Sequence, residues 1–165
     1  MPVARTSKLA PNFTAGELGA DHPDANDRVV ANLRLVAGWL QTFRDLINLD
    51  VPAGGPQRRI IITSGFRPKT DNEAVGGSAT SDHPEGLAAD FIVNNLSAHD
   101  VYLRITAAQK RGELPEFDQL IWYVADNHVH LGLGMRRRGQ LLLKTAEGSF
   151  VQLAGELVQK LRGFV

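Results

Sequence analysis

Side chains able to bind a divalent metal follow one another along the sequence in the order His, Asp, His. The first two lie in Ser81-Asp82-His83-Pro84-Glu85-Gly86-Leu87-Ala88-Ala89-Asp90, and the last comes from His128-Val129-His130. Imidazole nitrogen and carboxylate oxygen both suit zinc. Three protein ligands leave a fourth position open, which is the pattern of a catalytic ion rather than a structural one. Such a centre polarises a carbonyl and activates water, so the constellation points to a hydrolase. The chain has no cysteine, which excludes disulfides and thiolate sites and leaves His, Asp and Glu to hold any metal.

The elements that carry these residues decide whether they can meet. A strand sends alternate side chains to one face, so His128 and His130 point together. Leu87 to Val93 reads as a buried strand, with Asp90 and Ile92 on one face and Ala89, Phe91 and Val93 on the other. A carboxylate in the middle of that strand needs a partner, because burying an unpaired charge is strongly unfavourable. A metal is one such partner and a buried arginine another, and Arg67 is available. His83 sits in a loop containing Gly and Pro just before the strand. A single loop histidine carries little weight, and His22 and His99 are assigned to the surface. The signal is the combination of loop His, strand Asp and a His-x-His strand.

Around these lie the supporting elements. Val29, Leu33, Val36, Leu40, Phe43 and Ile47 alternate in steps of four and three, which puts them on one face of a helix. Arg59 to Ser64 is rich in β-branched residues and reads as a buried strand. Asp71 to Val75 is a short helix broken by Gly76-Gly77. Ser97-Ala98-His99-Asp100 resembles a capping box with Asp in place of Glu, opening a helix to about Arg111 that Gly112 stops. Gln119 to Val124 and His128 to Leu133 form a hairpin, and Leu141 to Lys144 and Phe150 to Leu153 form another around Glu147-Gly148. Glu156 to Phe164 closes the chain as a helix. Lys8 to Asp27 is rich in turn formers anchored by Phe13 and Leu18, with residues 1–11 extended. The expected fold is α+β, a single domain over residues 1–165, with a small antiparallel sheet flanked by helices and the zinc site on the sheet.

Composition narrows the partners. With 165 residues the chain is long enough for one well-buried core. Lys and Arg number 18 and so do Asp and Glu, and this zero net charge argues against nucleic acid held by bulk charge. The basic run Met135-Arg136-Arg137-Arg138-Gly139-Gln140 reads as a solvated hairpin tip, with contact to an anionic polymer such as cell wall as the alternative. No stretch is apolar for long enough to insert in a membrane. Met1 to Lys8 is basic but has no apolar core behind it, so no secretory signal is expected.

Several motifs occur in a fixed order: Ser64-Gly65-Phe66-Arg67, Asn72, Val75-Gly76-Gly77-Ser78, Ser81-x-His83-x-x-Gly86-x-Ala88-x-Asp90, Phe117-Asp118-Gln119-Leu120-Ile121 and His128-Val129-His130. Together they resemble the M15 family of zinc peptidases, in particular the phage-type branch related to D-alanyl-D-alanine carboxypeptidases and L-alanyl-D-glutamate endopeptidases. Asn12-Phe13-Thr14-x-x-Glu17-Leu18 resembles the start of that branch, and the likeness covers most of residues 12 to 133. It implies a DD-peptidase-like fold with one Zn2+ per chain, bound by His83, Asp90 and His130. It also implies a peptidoglycan peptide as substrate and Arg67 holding the substrate or the polarised carbonyl. Ser81 and Ser78 either orient the loop or hydrogen-bond to the substrate. For a protein without a secretory signal, the resemblance implies a phage-encoded virion protein or one in the host cytoplasm that acts on the cell wall.

A zinc peptidase also needs a base for the attacking water. Many M15 enzymes place Glu or Asp three residues before the last zinc His, and here that position is Asn127, which cannot act as a base. His128 is one substitute, since His-x-His pairs of related zinc peptidases set that His beside the metal, and Asp126 in the adjoining turn is the other. The strand period favours His128. Tyr123 and Trp122 either line the cleft or pack in the core. Asp118 either orients a zinc His or caps a turn. The expectation is a peptidase, with the alternative of an inactive M15-like zinc module that binds wall peptides or builds a virion.

Overall fold

The computed structural model describes residues 3–153. Near the N-terminus, β1 (Lys8–Ala10) and β2 (Phe13–Thr14) form a small antiparallel pair. The short helix α1 (Ala15–Leu18) follows. Thr14 and Glu17 cap it reciprocally, and Gly19 ends it in the left-handed region at φ 77°. Phe13 and Leu18 are buried, as the turn-rich segment requires of its anchors.

Helix α2 (Asp27–Ile47) carries the periodic apolar face. Asn26 accepts from the Val29 backbone N–H and fixes its start. Leu33, Val36, Leu40 and Phe43 lie on the sheet, and the Phe43 and Phe91 rings sit 6.4 Å apart. Truncating either ring to Ala costs about 3–5 kcal/mol. Helix α4 (Ala98–Lys110) covers the same side of the sheet with Tyr102 and Ile105. Ser97 caps it by accepting from the Asp100 N–H, and Gly112 follows its end at φ 71°. Among the described residues no helix is long and apolar enough to cross a membrane.

The main sheet has six strands in the order β3-β4-β6-β5-β7-β8. These are β3 (Ile60–Ser64), β4 (Ala88–Val93), β5 (Gln119–Tyr123), β6 (His128–Gly132), β7 (Gln140–Lys144) and β8 (Phe150–Gln152). Between β3 and β4 come α3 (Lys69–Ala74) and a single 3-10 turn, His83–Glu85.

The architecture is α+β, but the sheet is larger than expected and not wholly antiparallel, since β7 lies parallel to β5. The cause is strand crowding. β6 is already flanked by β4 and β5, so the returning chain must add beyond β5, and it arrives there in the same direction. Both expected hairpins are present, β5–β6 and β7–β8. The closing helix expected over Glu156 to Phe164 lies outside the described residues.

Alternation then sorts the sheet into two faces. Ala89, Phe91, Val129, Leu131 and Leu120 are buried on the side covered by α2 and α4. Asp90, His130, Ile121 and Leu142 form one row across the other face, as the register Asp90↔His130↔Ile121↔Leu142 shows.

Candidate metal centre

The sheet brings Asp90 and His130 side by side on adjacent strands. His83 arrives from the 3-10 turn, which Gly86 closes at φ 69°. A Cβ at Gly86 would come within 2.8 Å of the Val29 carbonyl, so the turn packs directly on α2. From α2 itself, Asn32 donates to the Glu85 carbonyl at 2.8 Å, and Arg28 pairs with the Glu85 carboxylate at 2.7 Å. The His83 ring is held from β3's exit. The register of β3 on β4 shifts between Ile62 and Ser64, an irregularity that aims the following Gly65 at the site.

Each of His83, Asp90 and His130 offers a ligand atom, and these atoms lie within 4.8 Å of one another. His83 Nδ1 lies 2.6 Å from the Gly65 carbonyl oxygen. A carbonyl only accepts, so Nδ1 carries the proton and Nε2 is left with a bare lone pair. That Nε2 is buried without a hydrogen-bond partner and stands 3.3 Å from Asp90 Oδ2. Two acceptors facing each other in a buried site repel unless a cation lies between them. Two ligands on one tetrahedral zinc, with bonds of about 2.1 Å, stand about 3.4 Å apart. The donor set therefore fits a divalent ion. His130 Nδ1 lies 2.7 Å from the other Asp90 oxygen. Burial raises the Asp90 carboxyl, but the His130 hydrogen bond, with the His83 imidazole alongside, outweighs it and holds the group well below the usual carboxylate range. Asp90 is thus a permanent anion, ready to serve as a ligand.

Arg67 stands beside this group with Nη2 3.9 Å from Asp90 Oδ2, and its buried Nε has no partner. The arginine is too distant to hydrogen-bond to Asp90 and makes only a long ion pair with it. Ser81 lines the same cleft, and its Oγ accepts from the His83 N–H at 3.3 Å, the loop-orienting role. The cleft has a volume of about 390 Å³.

Tyr123 lines the cleft, whereas Trp122, one residue away, faces the opposite side and packs on His99 with ring centroids 4.7 Å apart. His99 is therefore not merely a surface residue. Burial and the Asp90 charge push the Tyr123 phenol up to about 12, so it remains a donor at neutral pH.

Of the candidate bases, His128 shares the face of His130 and stacks on Tyr123 with centroids 4.3 Å apart. Burial lowers its imidazole below the ordinary histidine value, which favours the neutral, proton-accepting form. Asp126 is exposed in the β5–β6 turn. Neither residue belongs to the lining of the cleft. Asn127 adopts φ 48°, and its Oδ1 accepts from the first N–H of α4, so that position faces away from the ligands.

Three features were not foreseen. Asp118 is fully buried and does not touch a histidine ligand. It accepts from Arg138 N, Nε and Nη2 at 3.0, 3.0 and 2.7 Å, and Arg136 Nη2 lies 3.6 Å away. Two arginines of the basic run are thereby tied to the cleft's edge, while the run itself stays solvent-exposed as expected. Asp82 is the second feature: its carboxylate fills the space that a Cβ at Gly132 or Gly134 would need, at 2.8 and 2.7 Å. Lys144 and Phe150 are the third, since they form part of the cleft wall. The alternation Ile121-x-Tyr123 and Leu142-x-Lys144 is visible in the sequence, but the parallel seating of β7 on β5 is not.

The family model for peptidase M15 matches residues 5–132. That span takes in β1 through β6, and with them His83, Asp90 and His130, and stops short of β7. No curated protein matches the chain. With the greater part of its length inside that match, the chain belongs to the peptidase M15 family.

Proposed function

We propose that the protein is a zinc-dependent peptidase that hydrolyses an amide bond in the peptide part of peptidoglycan. The observation that carries the metal is the buried, unpartnered His83 Nε2 facing the ionised Asp90. His83, Asp90 and His130 would hold the ion, and zinc is the ion on which M15 peptidases depend. A zinc ion there supplies Lewis acidity toward a substrate carbonyl and toward water.

The chain's own side chains supply the rest. Arg67, with unpaired donors beside Asp90, holds a substrate oxygen and stabilises the negative charge that develops on it. His128, neutral and on the ligand face, takes the proton of the attacking water and returns it to the leaving amine. The Tyr123 phenol donates to the bound peptide, and Ser81 keeps the His83 loop in place. The motif order from Ser64 to His130 supports the phage-type branch and hence a wall peptide as substrate.

A second reading, a metal-holding module that binds wall peptides without cleaving them, draws support from Asn127. The position that is acidic in many relatives here carries an amide committed to α4. Incubation with purified peptidoglycan and mass spectrometry of the soluble fragments separates the two. Fragment release that a chelator abolishes supports the peptidase and identifies the bond. Binding to the wall without release supports the module.

A further inference from the structure

The cleft is more than its metal end. A second row of side chains runs across the same face, one step along from the ligands. Its register is His128↔Tyr123↔Lys144↔Phe150. Lys144 Nζ lies 5.0 Å from the Tyr123 ring centroid and 5.5 Å from that of Phe150, whose rings meet edge to face at 6.5 Å. An ammonium over ring faces is held by the ring quadrupoles while its N–H donors remain free.

The charges around the cleft single out this lysine. Arg67 neighbours Asp90. Arg138 and Arg136 share Asp118. Among the described residues no carboxylate pairs with Lys144. A cleft cation without an anion, on an aromatic floor, is a site for an anion on the ligand. Lys144 and Phe150 lie beyond the residues matched by the peptidase M15 model.

Strand spacing sets the reach. Lys144 sits two strands across and two residues along from His130, which places their Cα atoms about 12 Å apart. An extended peptide covers that in roughly three residues, and the lysine side chain reaches back over part of it.

We propose that Lys144 forms an anion subsite on a Tyr123–Phe150 floor that takes a carboxylate of an acidic peptide, two or three residues from the bond at the metal. The proposal rests on the peptidase reading for the position of that bond, and on the cleft alone for the grip. The test uses zinc-loaded full-length protein and blocked alanine peptides in which one Glu, in L or D form, is scanned along the chain. A matched set carries Gln instead. Fluorescence anisotropy reports binding, and chromatography reports cleavage.

The expected result is a preference of about three- to ten-fold for Glu over Gln at one or two neighbouring positions. Lys144→Met, which keeps the apolar stem on Tyr123, removes that preference by weakening the Glu peptides and leaves the Gln peptides and the zinc content unchanged. Lys144→Glu reverses it. Equal binding of both sets by the unaltered protein, or a preference that survives in Lys144→Met, overturns the subsite. Glu preference in binding with no peptide cleaved overturns the peptidase reading and leaves the subsite standing.

Discussion

The imidazole of His83 hangs from the carbonyl of Gly65 by a 2.6 Å hydrogen bond, and any side chain at position 65 would have to displace backbone. A Cβ there would fall 2.3 Å from the Leu18 carbonyl oxygen, and the next residue, Phe66, donates its N–H to that same oxygen at 2.8 Å. The tautomer of the histidine is therefore set by backbone packing between α1 and the exit of β3.

Gly65→Ala pushes the Gly65 carbonyl away from His83. Zinc affinity should fall about 10–100-fold, as for loss of other groups that orient a metal-binding histidine. Strain against Leu18 should cost a further 1–3 kcal/mol or about that in folding stability. Competition with a zinc indicator and chemical denaturation measure the two separately.

His83→Ala and His130→Ala should each abolish stoichiometric zinc binding, read by elemental analysis of the purified protein. In the unaltered protein, free zinc about 1,000 times above Kd stabilises the fold by about 4 kcal/mol. Chelation should therefore lower the melting temperature, and in the two variants a chelator should leave it unmoved. Variants that retain full metal would remove these residues from the centre.

His128→Ala should keep its zinc and lose turnover by about 10²–10⁴-fold, the range of a lost general base. Asp126→Asn, altering an exposed turn, should remain close to the unaltered rate. Release of peptidoglycan fragments is the readout, with metal content measured in parallel. The reverse outcome, an inactive Asp126→Asn and an active His128→Ala, would move the proton acceptor to the turn.

Asp118 gives the fold an acid-sensitive point. Hydrogen bonds from Arg138 hold its carboxyl below the ordinary carboxylate range. A folded-state value below the unfolded one adds stability that is complete above the unfolded value and disappears as the pH falls through the folded one. Asp118→Asn should therefore lose about 1–3 kcal/mol at neutral pH and show a smaller further loss on acidification than the unaltered protein. Urea titrations across the acid range provide the comparison.

The group that could hold a metal was legible in the sequence because each candidate lies in a local pattern whose period fixes its direction. His128 and His130 share a strand face, Asp90 interrupts an apolar strand, and the Gly86 turn precedes it. The long helix α2 was readable for the same reason, an unbroken apolar stripe. What local pattern cannot carry is pairing between distant segments. Asp118 could not be assigned to Arg138 without the loop that returns from β6. Trp122 and Tyr123 could not be sorted until the helix covering one face was known. Asn127 read as a missing base, but its amide is spent on the start of α4. Lys144 could not be placed in the cleft, because nothing near it in sequence announces that β7 will seat beside β5.

That parallel seating separates two jobs along the chain. The ligands sit on β4, β6 and the turn before β4, while β7 and β8 occupy the rim of the sheet and touch the centre only across β5. Charge or length changes in the outer hairpin therefore reach the cleft wall without touching the strands that carry the candidate metal donors.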